Sequence, residues 1–163
     1  MYRPLQWKAL IILGLLLTVS CAPSTSAPAA GTPDPDPEHT AAVNKAHETM
    51  DTLFKALLAP QPSYTFVGVR VRFTGVERYE DMWTEPVDYY NGVFTVEMVE
   101  GVTVEHGLHP GRFVQVPVQD VLDWMILEED GTVLGGYTIR LAYERMTPEE
   151  KEEFLRVTGY VME

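Results

Sequence analysis

The sequence predicts an α+β domain: a curved, mainly antiparallel sheet or small barrel of about five strands, with N- and C-terminal helices packed on it. Three observations predict it. Ala42, Ala46, Met50, Leu53 and Leu57 recur at helical spacing. Short alternating runs then fill residues 64–127, with Asn91-Gly92 between two of them as a hairpin signal. Near the C-terminus, Thr147-Pro148-Glu149-Glu150 reads as a capping box with proline at the first helical position. The connections between strands are too short for parallel crossovers, so the pairing is expected to be antiparallel.

In chain order, residues 40–58 form the first predicted helix, with Thr40 as cap and Pro60 and Pro62 as stops. Residues 64–73 alternate, with Val67, Val69, Val71 and Phe73 on one face and Gly68, Arg70 and Arg72 on the other. Residues 77–90 are strand-like with a break at Pro86, which predicts an edge or a bulge. Residues 93–99 follow, with Phe94, Val96 and Met98 inward, and residues 100–110 read as an irregular connection. Residues 113–118 form the next strand, with Val114, Val116 and Val118 inward. Residues 122–127 form another, with Leu122, Trp124 and Ile126 facing the core and Asp123 outward. After the Glu129-Asp130-Gly131 turn, Tyr137, Leu141 and Glu144 favour a helix over 136–146. The capped helix then runs to about Thr158 and stops at Gly159.

The chain before this domain reads as delivery and spacing. Arg3 and Lys8 give a positive start, and residues 9–17 are apolar except for Gly14. That run is short of the ~20 residues that cross a bilayer. Thr18-Val19-Ser20-Cys21 follows and resembles the lipobox of bacterial lipoproteins, with threonine where leucine is commonest. The resemblance implies that residues 1–20 are a lipoprotein signal peptide and that Cys21 is lipidated. Cys21 is the sole cysteine, and lipid attachment would remove the liability of a free exported thiol. Ala22 after it resembles lipoproteins sorted to an outer membrane. Residues 21–38 hold Pro23, Pro28, Pro33, Pro35 and Pro37, with Asp34, Asp36 and Glu38 adding self-repulsion, and read as an extended tether. The folded domain is then residues 39–163. The implied location is the cell envelope, facing the periplasm or exterior.

Charge narrows the partners. Beyond Cys21 lie ten bases and all 24 acids, a balance of −14. Such a domain repels nucleic-acid phosphates. Apart from the membrane reached through Cys21, the balance reads either as solubility and colloidal stability or as a docking face for a basic protein or envelope partner.

Chemistry-bearing patterns are sparse. There is no phosphate loop, no nucleophile elbow and no zinc-protease helix in the sequence. His106 and His109, with Glu105 or His47, would be a minimal metal set, but Gly107 and Pro110 indicate a loop, so no metal or cofactor is implied. Ser63 is the one serine after residue 39, which leaves no serine triad. Carboxylates stand near tryptophans at Glu80-Asp81 with Trp83 and at Asp123 with Trp124. Gly135-Gly136 with Thr138 and Arg140 can open a helix whose free N–H groups hold an anion, or can form a locally capped strand–helix junction. The candidate binding residues are therefore Glu80, Trp83, Asp123, Gly135, Gly136, Thr138 and Arg140. A hydrolase would have to draw on Glu80, Asp123 and Arg140; an immunity-type inhibitor would set its acids against a basic toxin.

A wider resemblance covers nearly all of residues 40–157. Asp123-Trp124-Met125, Asp130-Gly131, Gly135-Gly136-Tyr137-Thr138-Ile139-Arg140 and Arg145-Met146-Thr147-Pro148-Glu149-Glu150 resemble the C-terminal half of the YegJ-like family, a bacterial domain of unknown function. The likeness extends back through Gly111 and Glu80-Asp81-Met82-Trp83 to the first helix. Asp81 stands where that family commonly has histidine, and Glu100-Gly101 where an Asn-x-Pro-like turn is common. The resemblance implies a fold and no particular activity.

Overall fold

In the computed structural model the described residues are 36–74, 79–101 and 108–162. They form helices α1 (Pro37–Glu48) and α2 (Met50–Leu58), strands β1 (Tyr64–Thr74), β2 (Tyr79–Tyr90), β3 (Val93–Met98), β4 (Phe113–Pro117), β5 (Val121–Glu128) and β6 (Val133–Gly135), and helices α3 (Tyr137–Glu144) and α4 (Pro148–Thr158). The strands make one antiparallel sheet in the order β4-β3-β2-β1-β5-β6. The α+β reading holds, with an open sheet of six strands in place of a closed barrel or five. The sixth strand, β6, spans only three residues, too few for alternation to show in the sequence.

The first helix is two helices. Asp36 caps α1, its Oδ1 accepting from the backbone N–H groups of Glu38 (3.0 Å) and His39 (3.3 Å). Pro37 fits at the first position because its missing N–H would have no partner there. Asp36 and Glu38 therefore belong to the fold and not to a self-repelling tether. The break falls at Thr49. An unbroken helix would give the Ala46 carbonyl to the N–H of Met50. Instead, the Trp124 indole N–H donates to that carbonyl at 3.0 Å and to the Thr49 hydroxyl at 3.2 Å.

One sheet face carries the core. Val69, Val71 and Phe73 of β1, Phe94, Val96 and Met98 of β3, Val116 of β4, and Trp124 and Ile126 of β5 pack with Ala46, Met50, Leu53 and Ala56 of α1 and α2. Phe54 adds a ring tilted against Tyr89 and stacked on Phe94. Truncating a side chain such as the fully buried Leu53 to alanine costs about 2–5 kcal/mol. The Asn91-Gly92 hairpin forms as expected, both residues having positive φ. Pro86 sits in an inner strand, not an edge, and the ladder slips between Pro86 and Asp88 to accommodate it.

A second slip changes the reading of β5. The β1–β5 register shifts between Arg70 and Val71, which pair with Asp123 and Val121 and skip Leu122. Val121 takes the core position (1% exposed), and Leu122 is only half-buried. Asp123, expected outward into solvent, is on the far face yet 0% exposed. A bulge of one residue is enough to reassign the faces on either side of it.

Helix α4 has its capping box: Thr147 Oγ1 accepts from Glu150 N, and Glu150 Oε2 accepts from Thr147 N. Gly159 ends it with φ +69°. The chain then returns to the β5–β6 turn, where Val161 N donates to Gly131 O at 2.8 Å.

Candidate functional site

The Asp123–Arg140 segment is built around one buried carboxylate. Gly135 and Gly136 both have positive φ, and a Cβ on Gly135 would lie 2.3 Å from the Trp124 carbonyl oxygen. Only glycine fits that approach. The turn aims the start of α3 at β5, and Gly136 supplies no side-chain cap. Asp123 does so from another strand. Its Oδ2 accepts from the Thr138 N–H and hydroxyl, each at 2.7 Å, and its Oδ1 accepts from the Trp124 N–H at 2.8 Å. Burial pushes the Asp123 carboxyl up, and the hydrogen bonds from Thr138 and Trp124 oppose that without cancelling it.

Thr138 continues the network. Its hydroxyl accepts from Arg70 Nη1 at 2.9 Å. Arg70 Nη2 is 3.7 Å from Asp81 Oδ2, and Asp81 also takes Arg72 in a two-point pair, Nε to Oδ1 at 2.7 Å and Nη2 to Oδ2 at 2.9 Å. Such forked pairing fixes both planes. Arg70 lies opposite Trp83 and Asp123, and Arg72 opposite Asp81, so all five share the face away from the core. Phe66 folds over Gly68, where a Cβ would lie 2.3 Å from its ring, and meets Trp83 edge-on at 6.4 Å. Tyr79 lies under the Arg72 guanidinium at 3.9 Å. The result is a half-buried ribbon of two arginines, one aspartate and three aromatic rings. Its polar groups are engaged with one another, which makes it rigid.

The structure brings Trp83, Asp123 and Thr138 to this face and leaves other candidates elsewhere. Arg140 turns back on β6, its Nε donating to Gly135 O at 2.9 Å and its Nη2 to Val133 O at 2.5 Å. It thereby ties the strand carbonyls to the helix. Glu80 lies opposite the buried Phe73, which puts it on the other face from Asp123. Glu80, Asp123 and Arg140 thus do not meet in one cleft. His47 Nε2 is 2.7 Å from the Val121 carbonyl, and His109 Nδ1 is 3.1 Å from that of Pro110. Glu105 and His106 fall outside the described residues. Among the described residues no three His, Asp or Glu side chains gather as metal ligands would.

A model of uncharacterized proteins conserved in bacteria, DUF2314, matches residues 36–161. The chain belongs to that family. The DUF2314 match begins at Asp36, the residue that caps α1, and ends at Val161, the residue that closes onto Gly131. It therefore coincides with the fold described above. A putative ankyrin repeat protein of Neisseria meningitidis serogroup B is 33% identical over 75 residues, which are 45% of this chain and 29% of that protein. The chain spans less than a third of that relative's length. No solved structure matches the chain.

Arg70, Arg72 and Asp81 of the DUF2314 domain were legible only in part. The alternation Val69-Arg70-Val71-Arg72 marks both arginines as facing away from the core. Their partner is nine residues past Arg72, across a strand pair whose register the sequence leaves open. Asp81, where the resembling family commonly has histidine, here pairs with Arg72.

Proposed function

We propose that this is a lipid-anchored protein of the bacterial cell envelope whose YegJ-like DUF2314 domain binds a partner and performs no reaction of its own. One observation carries the second half. The side chains that looked most catalytic are spent on the fold: Asp123 accepts three hydrogen bonds while sealed from solvent, and Arg140 donates to two carbonyls of the β6 segment. A group that acts on a substrate must reach it, and a fully buried carboxylate cannot. The anchor reading rests on Thr18-Val19-Ser20-Cys21 and on Cys21 being the sole cysteine. Lipid on Cys21 holds the chain to the membrane, outer where the cell has two, and the proline-rich stretch after it sets the domain off the surface. The −14 balance beyond Cys21 favours a basic partner, protein or polymer, over nucleic acid.

Membrane fractionation tests the anchor. Cys21→Ala is expected to move the chain to the soluble fraction. Retention of that variant in membranes with residues 1–20 removed contradicts the anchor.

A further inference from the structure

The two edges of the sheet are finished differently. At β6, Gly136 and Thr132 bond β5, so alternation turns the backbone groups of Val133 and Gly135 outward. Arg140 takes both of those carbonyls, and Val161 bridges Thr132 beside them. At β4, Met98 N donates to Arg112 O at 2.8 Å and Val118 N to Gly92 O at 2.9 Å. Residues 112, 114, 116 and 118 therefore bond toward β3, and Phe113 and Gln115 turn their N–H and C=O groups outward. Pro117 fits that pattern, since its missing N–H falls on the open side. Among the described residues no group bonds the outward N–H or C=O of Phe113 or Gln115. The strand Phe-Val-Gln-Val-Pro also lacks the charged side chains that commonly guard an edge, and Phe113 is 59% exposed.

A row of side chains beside this edge sets the sign of what it takes. Glu85 lies directly opposite Glu97, and Glu97 directly opposite Phe113. All three share the face away from the core, because Val96 and Met98 on either side of Glu97 are buried. Like charges directly opposite each other weaken a ladder. Among the described residues no base pairs with either carboxylate.

From the open backbone groups and the unneutralised glutamate pair together, we infer that the β4 edge takes an extended, basic segment of a partner protein as a seventh, antiparallel strand. The outward groups of Phe113 and Gln115 specify an extended backbone, because a strand repeats its donors and acceptors every second residue. A lysine or arginine opposite Phe113 would cross its ring and reach Glu97. Apolar side chains on the other face would extend the core beside Val114 and Val116. The −14 balance beyond Cys21 sets a basic partner above a second copy of this chain. The inference rests on the binding-module reading above and names the surface and partner form for it.

The test uses the full chain in neutral detergent and a short fluorescent peptide of alternating valine and arginine. In an antiparallel pair with its arginines opposite Phe113 and Gln115, the arginine N–H groups bond the edge and the valine N–H groups face water. Fluorescence anisotropy is expected to show saturable binding. N-methylation at the arginines is expected to weaken it about tenfold or more, and N-methylation at the valines to leave it within about twofold. Gln115→Pro removes one outward N–H and no bond to β3, and is expected to weaken binding about tenfold while Tm is kept. Glu85→Gln with Glu97→Gln is expected to weaken it by about as much, to flatten its salt dependence and not to lower Tm. Glu149→Gln with Glu152→Gln, the same change of charge on α4, is expected to leave affinity within about twofold. Where Gln115→Pro does not fold, the two methylated peptides decide alone. Equal binding of those two peptides, or equal weakening by the two glutamine pairs, overturns the inference. So does a chain that dimerises on sedimentation and loses the dimer in Gln115→Pro, since a second copy would then fill the edge. Saturable binding that both methylated peptides share leaves the binding-module reading standing and overturns the edge alone. No binding of the unmethylated peptide overturns the basic-partner reading and the edge with it.

Discussion

The β5–α3 junction and helix α4 are both rich in acidic and apolar residues, and they use them in opposite ways. At the junction, Asp123 is 0% exposed and accepts three hydrogen bonds. On α4, Glu149 stands in solvent and Glu153 meets only the exposed Arg156, beside an exposed Val157. The junction has the more conspicuous sequence, with its paired glycines, tryptophan and arginine. Yet its groups are consumed in holding a strand to a helix. Helix α4 has an ordinary sequence, and it leaves apolar surface uncovered. A dense motif marks where a chain folds under constraint, which need not be where it meets a partner.

Substitutions can break this contrast. The largest effect is expected at Gly135→Ala, which drives a Cβ into the Trp124 carbonyl at a positive φ. A loss of about 3 kcal/mol or more by denaturant unfolding is expected. Asp123→Ala strands the Thr138 N–H and hydroxyl and the Trp124 N–H around a void, and is expected to cost about 3 kcal/mol. Arg72→Ala leaves the half-buried Asp81 without its two-point partner, and about 1–3 kcal/mol is expected to be lost. On α4, Val157→Ser is expected to change stability by less than about 0.5 kcal/mol, because the side chain is already in water. A large loss there would mean that α4 is packed more tightly than the structure has it.

Acid titration separates two aspartates by sign. Arg145 beside Asp36 holds its carboxyl down at about 2. A depressed carboxyl stabilises the fold above its unfolded pKa, and that contribution is lost as pH falls from about 4 toward 2. Asp123 is raised by burial, so its contribution runs the other way. It is present below the unfolded value and is lost as pH rises through the folded one. Chemical unfolding across this range is therefore expected to show a steeper acid loss in Asp123→Asn than in the native chain. Asp36→Asn is expected to show a shallower one, and high salt to shrink the difference because the Asp36–Arg145 pair is exposed.

How much of this was readable follows the range of the interactions. The α4 capping box and the Asn91-Gly92 turn depend on neighbours within four residues, and both formed as read. The helix over 136–146 also formed, as α3. Features set by distant residues were not readable. Trp124 splits α1 from α2 by taking a carbonyl 78 residues away. The skipped Leu122 gives the core position to Val121 through a register fixed by β1, and Asp123, on the far face, is covered there by the start of α3. Gly135, Gly136 and Thr138, read as candidate binding residues or as a strand–helix junction, form the junction, and the anion at its helix start is the chain's own Asp123. The exposure of Val157 was not readable either, because the residue fits a helical stripe and its burial depends on the elements around α4.

One paired measurement tests the contrast most directly: thermal unfolding recorded for Asp123→Asn and Val157→Asp in the same preparation. Asp123→Asn is expected to lower Tm, and Val157→Asp to leave it unchanged. An Asp123→Asn chain that keeps its Tm, or a Val157→Asp chain that loses it, would contradict the account.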